Sequence, residues 1–291
     1  MTILLSGPVR RGSAPDTHKN AVGALVLLAG RKGMAGAAIL AGRAAVRAGV
    51  GFLRVASVPD NREILQTGLP EAVFVDITDT AAVQKAVSAS RAIAVGPGLG
   101  VESEGVSAFA TILDSDVRPL VLDADALNLV AAGQGPKLED LGARGDTLVT
   151  PHPGEMDRLG GDAALDSIAR ARALSTTSGV TVLLKGMPSV VVDPNGQALV
   201  DTVVTSDLAQ AGMGDVLTGV AGAFLAQGVA PPTAGGLALY HVGRAACTTR
   251  KGAGMSVADV VDALPATLLE QGPGETDLDL PCVRFDLDAP R

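Results

Sequence analysis

Short apolar runs alternate with longer amphipathic stretches along most of this 291-residue chain. Leu25 to Ala29, Phe52 to Val58, Ala72 to Ile77, Ala92 to Val95, Leu120 to Leu122 and Thr147 to Val149 are short and several are rich in Val, Leu or Ile. That pattern predicts strands buried on both faces. Ala35 to Ala48 and Thr80 to Ser88 predict helices between them, and the β-α-β rhythm predicts a mostly parallel sheet with helices on both faces. The rhythm changes near residue 181. Val182 to Leu184, Ser189 to Val192 and Gln197 to Val200 are short strand candidates, and the turn Asp193-Pro194-Asn195-Gly196 predicts an antiparallel hairpin at one side of the sheet. Helices follow at Asp215 to Gln227, Thr233 to Cys247 and Val257 to Glu270. Residues 1–17 and 271–291, rich in Gly, Pro and charge, are expected as loose tails flanking a single domain over 18–270.

Composition narrows the function classes. A net charge of −8 and a sequence pI near 4.9 leave no basic surface for a run of phosphates, so nucleic acid is not an expected partner. Cys247 and Cys282 lack metal spacing and cannot build a disulfide framework, which suits a reducing compartment. Val216 to Gly243 carries no formal charge with His241 neutral, but Pro231-Pro232 divides it into halves shorter than the roughly 20 residues a membrane span needs. Arg10 and Arg11 interrupt the first apolar residues before they reach signal-peptide length, and the expectation is a cytoplasmic protein. The 36 glycines and the 2% aromatic content point to a site shaped by backbone rather than by rings.

Ligands of a parallel α/β sheet bind at the carboxyl ends of its strands, and five clusters fall there. Gly30 to Ala38 has neither a Walker A loop nor a dinucleotide fingerprint. Its small residues serve either close ligand approach or tight helix packing. Gly96-Pro97-Gly98-Leu99-Gly100 makes a wide turn suited to an anion or a sugar edge, or a plain loop. In Asp123-Ala124-Asp125, two carboxylates at a strand end can hold hydrated Mg²⁺ or orient a neighbouring loop. Capping of the next helix is favoured for one of them. In Thr150 to Glu155, Pro153 and Glu155 suit a helix start, whereas His152, fixed between two prolines, is expected to face a ligand. In Ala211-Gly212-Met213-Gly214-Asp215, two glycines at a helix start aim backbone N–H groups at one point, where the helix dipole also favours negative charge. An anion cradle beside a carboxylate is what phosphoryl transfer to a hydroxyl requires, although a plain Asp cap uses the same residues.

Gly-x-Gly-Asp at 212–215, in a long α/β chain without a P-loop, resembles the ribokinase-like superfamily. Further stretches resemble its ADP/ATP-dependent NAD(P)H-hydrate dehydratases: His18-Lys19, Gly33 to Ala38, Gly96 to Gly100, Leu122 to Asn128, Thr150 to Glu155, Leu184-Lys185-Gly186 and Gly214 to Gly219. The resemblance runs in order over residues 18–270, and Thr150 to Glu155 with Gly212 to Gly219 carries most of it. It implies a three-layer sandwich that repairs NADH or NADPH hydrated on the nicotinamide ring. The ring hydroxyl is phosphorylated from ADP, typical of bacterial members, or ATP, typical of eukaryotic ones, and phosphate is then eliminated. By the same resemblance Asp215 is the base, and the amides of Gly212, Met213 and Gly214 form the anion hole. Ala37, Ala38, Gly98, Gly100 and His152 contact the hydrate, while Lys185-Gly186-Met187-Pro188-Ser189 and Gly214 contact the nucleotide. It also implies Mg²⁺ on the phosphates with unassigned protein ligands, a homo-oligomer such as a tetramer, and a separate epimerase.

Some residues depart from the family pattern. Ser189 stands where Thr is expected, Pro188 stiffens its turn, Gln210-Ala211 replaces a Gly-Gly approach, Met213 replaces a small polar residue, and Asp207 adds charge upstream. None removes a group the chemistry needs. Rival readings are a thiazole or hydroxymethylpyrimidine kinase that stops at the phosphorylated product, a non-catalytic nucleotide-binding protein, and a nicotinamide-dependent oxidoreductase.

Overall fold

The computed structural model describes residues 22–114, 119–201, 203, 206–270 and 283–286. His18-Lys19 and most of both expected tails lie outside them. Ten strands form one sheet: β1 (Ala24–Leu28), β2 (Phe52–Ser57), β3 (Ala72–Asp76), β4 (Ala92–Val95), β5 (Leu120–Leu122), β6 (Thr147–Val149), β7 (Thr181–Leu184), β8 (Val190–Val192), β9 (Ala198–Asp201) and β10 (Val283–Asp286). Their order is β10-β9-β8-β7-β6-β5-β4-β1-β2-β3. The strands from β3 to β7 are parallel, and β7 to β10 pair antiparallel. The expected hairpin is β8-β9, at the predicted side. It is extended by β10, whose four residues fall within the stretch expected as a loose C-terminal tail; pairing with β9 gives them a place on the sheet.

Eleven α-helices are described: α1 (Ala35–Arg47), α2 (Arg62–Gly68), α3 (Thr80–Ser88), α4 (Ser103–Leu113), α5 (Ala124–Ala131), α6 (Leu138–Arg144), α7 (Pro153–Arg158), α8 (Ser167–Ser178), α9 (Met213–Ala226), α10 (Pro231–Thr249) and α11 (Val257–Glu270). The pleat explains the three layers, since alternate strand residues point to opposite faces. Leu25, Leu27, Leu53, Val55, Ala92, Ala94, Val121, Leu148 and Leu183 meet α1, α2, α9, α10 and α11. Val26, Leu28, Ile93, Val95, Leu120, Leu122, Val149 and Val182 meet α3 to α8. Both strand faces are therefore apolar, and strand periodicity disappears from the sequence. Helix α9 is buried on nearly every side, which accounts for its lack of charge after Asp215. Among the described residues no helix is long and apolar enough to cross a membrane.

Neighbours β1 and β4 mark where the parallel strand order reverses, and the following loops diverge there to leave a crevice. The loops are nevertheless tied at their base: Gly30 N–H donates to Pro97 O at 2.9 Å and Arg31 N–H to Gly98 O at 2.6 Å.

Candidate active site

At the carboxyl end of β5, Asp123 is almost completely buried. Burying a carboxylate requires partners, and it has two: Lys185 Nζ at 2.6 Å from Oδ1, and the Thr218 hydroxyl, which donates to Oδ2 at 2.7 Å. Lys185 directly follows β7 and Thr218 lies in the second turn of α9, so the ends of β5 and β7 and the start of α9 converge on one carboxylate. The expectation of a side-chain cap at Asp123 or Asp125 is not met, because neither caps α5. Asp125 instead accepts the Gly100 N–H at 2.7 Å, and thereby orients the glycine loop after β4, the alternative the sequence left open.

Glu155 Oε2 lies 3.8 Å from Lys185 Nζ and accepts the His152 N–H at 2.8 Å. Burial pulls the Lys185 ammonium toward neutrality, but Asp123, Glu155 and Asp215 outweigh it and hold its pKa above the ordinary value. The cation stays charged where an incoming phosphate would displace or share its carboxylates.

Helix α9 begins beside this ammonium. Gly212 adopts φ +93°, a left-handed conformation natural to glycine, and a Cβ there would lie 2.6 Å from Leu40 Cδ1. A Cβ on Gly214 would come within 3.5 Å of Lys185 Nζ. The Met213 N–H is occupied, donating to Gln210 O at 3.2 Å, so it drops out of the expected anion hole. Gly214 and Asp215 occupy the next first-turn positions, whose N–H groups have no intrahelical acceptor. Burial pushes the Asp215 carboxyl up to about 7, the Asp123 and Asp125 carboxylates add to the shift, and Lys185 opposes it.

A cavity of about 570 Å³ opens on this helix start, lined by His152, Lys185, Gly186, Met187, Ser189, Met213 and Gly214, with Leu208, Leu217, Leu239 and Val242 as apolar walls. Five of the six expected nucleotide residues line it. Pro188 does not. Ser189, in place of threonine, still closes the turn, its hydroxyl donating to Gly186 O at 3.0 Å. Gln210 also has a local reason: its amide donates to Met255 O at 2.8 Å and fastens the approach to α9.

The expected substrate residues separate. Ala37 and Gly98 adjoin, since a Cβ on Gly98 would sit 3.0 Å from Ala37 Cβ. Ala38 is fully buried in the core, and the Gly100 N–H is taken by Asp125, so neither offers a free group to a ligand. His152 caps α7: its Nδ1 accepts the Gly154 N–H at 3.0 Å, with Glu155 completing the capping box. The sequence offered no structural reason for this histidine, and the structure supplies one. It remains half-exposed on the cavity. Asp201, which also lines the cavity, was not singled out from sequence; the available signal was a lone acid closing an apolar strand.

A doubly wound sheet extended by antiparallel strands, with an ammonium and a helix start facing one nucleotide-sized cavity, defines a ribokinase-like α/β protein. The fold alone is shared, at TM-score 0.80 and 23% identity, with a ribokinase-like superfamily protein of Enterococcus faecalis, covering 90% of this chain and 91% of that one. Residues 25–266 match the NAD(P)H-hydrate dehydratase family, and the chain belongs to it. It is 34% identical over 254 residues to the ADP-dependent (S)-NAD(P)H-hydrate dehydratase of Neisseria meningitidis, covering 85% of this chain and 84% of that protein. It is 36% identical to the bifunctional NAD(P)H-hydrate repair enzyme of Salinibacter ruber over 88% of its own length, and spans 50% of that protein. The ADP/ATP-dependent NAD(P)H-hydrate dehydratase of Bacillus subtilis, co-crystallised with ATP and Mg²⁺, superposes at TM-score 0.75 with 29% identity, covering 91% of this chain and 95% of that one.

Proposed function

We propose that this chain is an ADP-dependent (S)-NAD(P)H-hydrate dehydratase, able in principle to use ATP as donor, and that its reaction is phosphorylation followed by phosphate elimination. The observation that carries the reading is Asp215. A carboxyl pushed up to about 7 at an anion-binding helix start is matched to accepting a hydroxyl proton near neutral pH. The donor lies in the cavity with its phosphates toward Lys185 and the Gly214 and Asp215 amides. The hydrate lies toward Ala37 and Gly98. Helices α1 and α9 touch where Ala41 meets Gly219, and one turn nearer the crevice stand Ala37 and Asp215.

Asp215 takes the hydroxyl proton as the terminal phosphoryl group moves to that oxygen, leaving AMP from ADP. The ring nitrogen then pushes its electron pair toward the carbon bearing phosphate, phosphate departs, and the adjacent carbon gives up a proton to restore the double bond. Phosphate leaves where hydroxide would not.

Mg²⁺ fits this site in kind. It prefers phosphate, carboxylate and water oxygens, and Asp123, Glu155 and Asp215 surround the Lys185 ammonium. Among the described residues no group of three His, Cys, Asp or Glu could hold a metal ion unaided, so the phosphates and water would supply most of its oxygens, with the Asp123 and Glu155 carboxylates nearby and Asp215 left free as the base. Bound there, it would supply charge neutralisation on the transferring phosphoryl group.

A homo-oligomer in the cytoplasm, working with a separate NAD(P)HX epimerase, completes the reading; the bifunctional repair enzyme among its relatives, of which it spans 50%, supports only that a second repair activity accompanies this one. The test is to incubate the protein with hydrated NADH, Mg²⁺ and either ADP or ATP. Return of the reduced-nicotinamide absorbance with at least one donor is expected. A phosphorylated product that accumulates without that return would make the protein a simple kinase instead.

A further inference from the structure

Asp201 is a buried carboxylate that the proposed chemistry does not use. It closes β9, it is 6% exposed, and it lines the same cavity as Lys185 and Ser189. Its own N–H donates to Ser189 O at 2.9 Å, so it is fixed directly beside the Gly186-to-Ser189 turn. One carboxylate oxygen, Oδ1, accepts the Val203 N–H at 2.9 Å, a local turn that serine or asparagine would make as well. The Val203 side chain is in turn seated against Gly243 of α10, where a Cβ would meet it at 3.0 Å. No salt bridge to Asp201 is present among the described residues, and burial pushes its carboxyl up to about 6.

A carboxylate buried without a cation is costly unless neutral donors complete its shell. The surrounding walls, Leu208, Leu239 and Val242, supply none. The cavity has groups suited to phosphate at its Lys185 and Gly214 end, and the rest of its lining is mostly apolar, with Asp201, Ser189, Gln210 and His152 as its polar members. A nucleoside diphosphate placed with its phosphates at the first end lays its nucleoside part along the second. Resting on the nucleotide reading above, we infer that Asp201 is a specificity residue for the phosphoryl donor, accepting a hydrogen bond from an N–H or O–H of the nucleoside. Two kinds of group carry such a donor on adenosine: the ribose 2′- and 3′-hydroxyls and the base amino group. Both present the same chemistry, and analogues tell them apart.

Binding is measured directly by calorimetry with ADP, 2′,3′-dideoxy-ADP and inosine diphosphate, whose base bears an acceptor oxygen in place of the amino group. Wild-type protein is expected to bind one analogue about tenfold or more weaker than ADP, the loss typical of a hydrogen bond to a charged group. A weak 2′,3′-dideoxy-ADP assigns the ribose and a weak inosine diphosphate assigns the base. Asp201→Asn turns a donor toward the ligand's donor, and is expected to weaken ADP to the same extent and abolish the preference. Asp201→Ser keeps an acceptor for the Val203 N–H, so it separates loss of recognition from loss of the turn, and is expected to behave like Asp201→Asn while melting like wild type. Equal affinity for all three ligands in wild type, or unchanged ADP affinity and preference in both variants, would overturn the inference while leaving the dehydratase reading intact. Failure of wild type to bind any of the three would overturn the nucleotide assignment itself.

Discussion

Asp215 and Lys185 concentrate the charge of the site, and substitutions at each separate activity from stability. Asp215→Asn removes the proton acceptor, and turnover is expected to fall by about 10²–10⁴-fold with nucleotide still bound. In wild type, kcat/KM should rise with pH and level off above about 7, because the acceptor must be ionised. The same shift acts on stability with a definite sign. Asp215 titrates near 3.8 when exposed and near 7 when folded, so the folded state is favoured most below the lower value and loses that advantage as pH rises through the upper one. Relief of this cost by Asp215→Asn is therefore worth up to about 4 kcal/mol at pH above 7 and little in acid. Melting curves of both proteins in acid and in mild alkali check it, and an equal Tm difference at the two pH values would contradict it. Lys185→Met has the opposite effect. It leaves the buried Asp123 carboxylate without its cation, at a cost of about 3–5 kcal/mol, and removes the ammonium facing the phosphates. Denaturant unfolding should show the loss, and ADP titration should show weakened binding.

Helix packing at the element scale aligns these side chains. Gly219 of α9 faces α1 so closely that a Cβ would lie 2.0 Å from the Ala41 carbonyl oxygen. Backbone cannot step aside as a side-chain tip does, so Gly219→Ala must part the two helices. The expected cost is about 1–3 kcal/mol, and because Ala37 and Asp215 ride on those helices, kcat should drop as well. Unfolding and turnover of that single variant test both; full activity with lowered stability would show that helix separation does not reach the site. Gly222, on the same helix, faces the sheet, where a Cβ would lie 3.2 Å from Ala94 Cβ and Leu25 Cδ2. The strands were legible, since six short apolar runs match six parallel strands within a residue or two. Helix α7 and its capping histidine were less so. His152 looked free because its acceptor role depends on the ring turning back on Gly154, which composition does not encode.

Over the whole molecule, both cores are built on one sheet, and the cavity is walled by the turn after β7, the end of β9, and α7, α9 and α10, from widely separated parts of the chain. A ligand that bridges those elements stabilises the native state by mass action, by about 2.7 kcal/mol at a hundredfold excess over Kd. ADP at such excess should raise Tm by about 5 °C or more, and an Asp201→Asn sample at the same ADP concentration should rise less. The sequence by itself determined the layer order, the parallel sheet with its antiparallel side, and the glycine-lined helix start before Asp215, because apolar periodicity and backbone sterics are local. It also located the Asp123, Asp125, Glu155 and Asp215 carboxylates, though not Asp201. Which carboxylate meets which partner was decided only by the tertiary structure: Asp123 finds Lys185 and Thr218 across 62 and 95 residues, Asp125 finds Gly100, and Asp201 is drawn to the cavity wall. Pairing and burial depend on which strand ends the fold brings together, and burial without an equal countercharge is what lifts Asp215 to about 7.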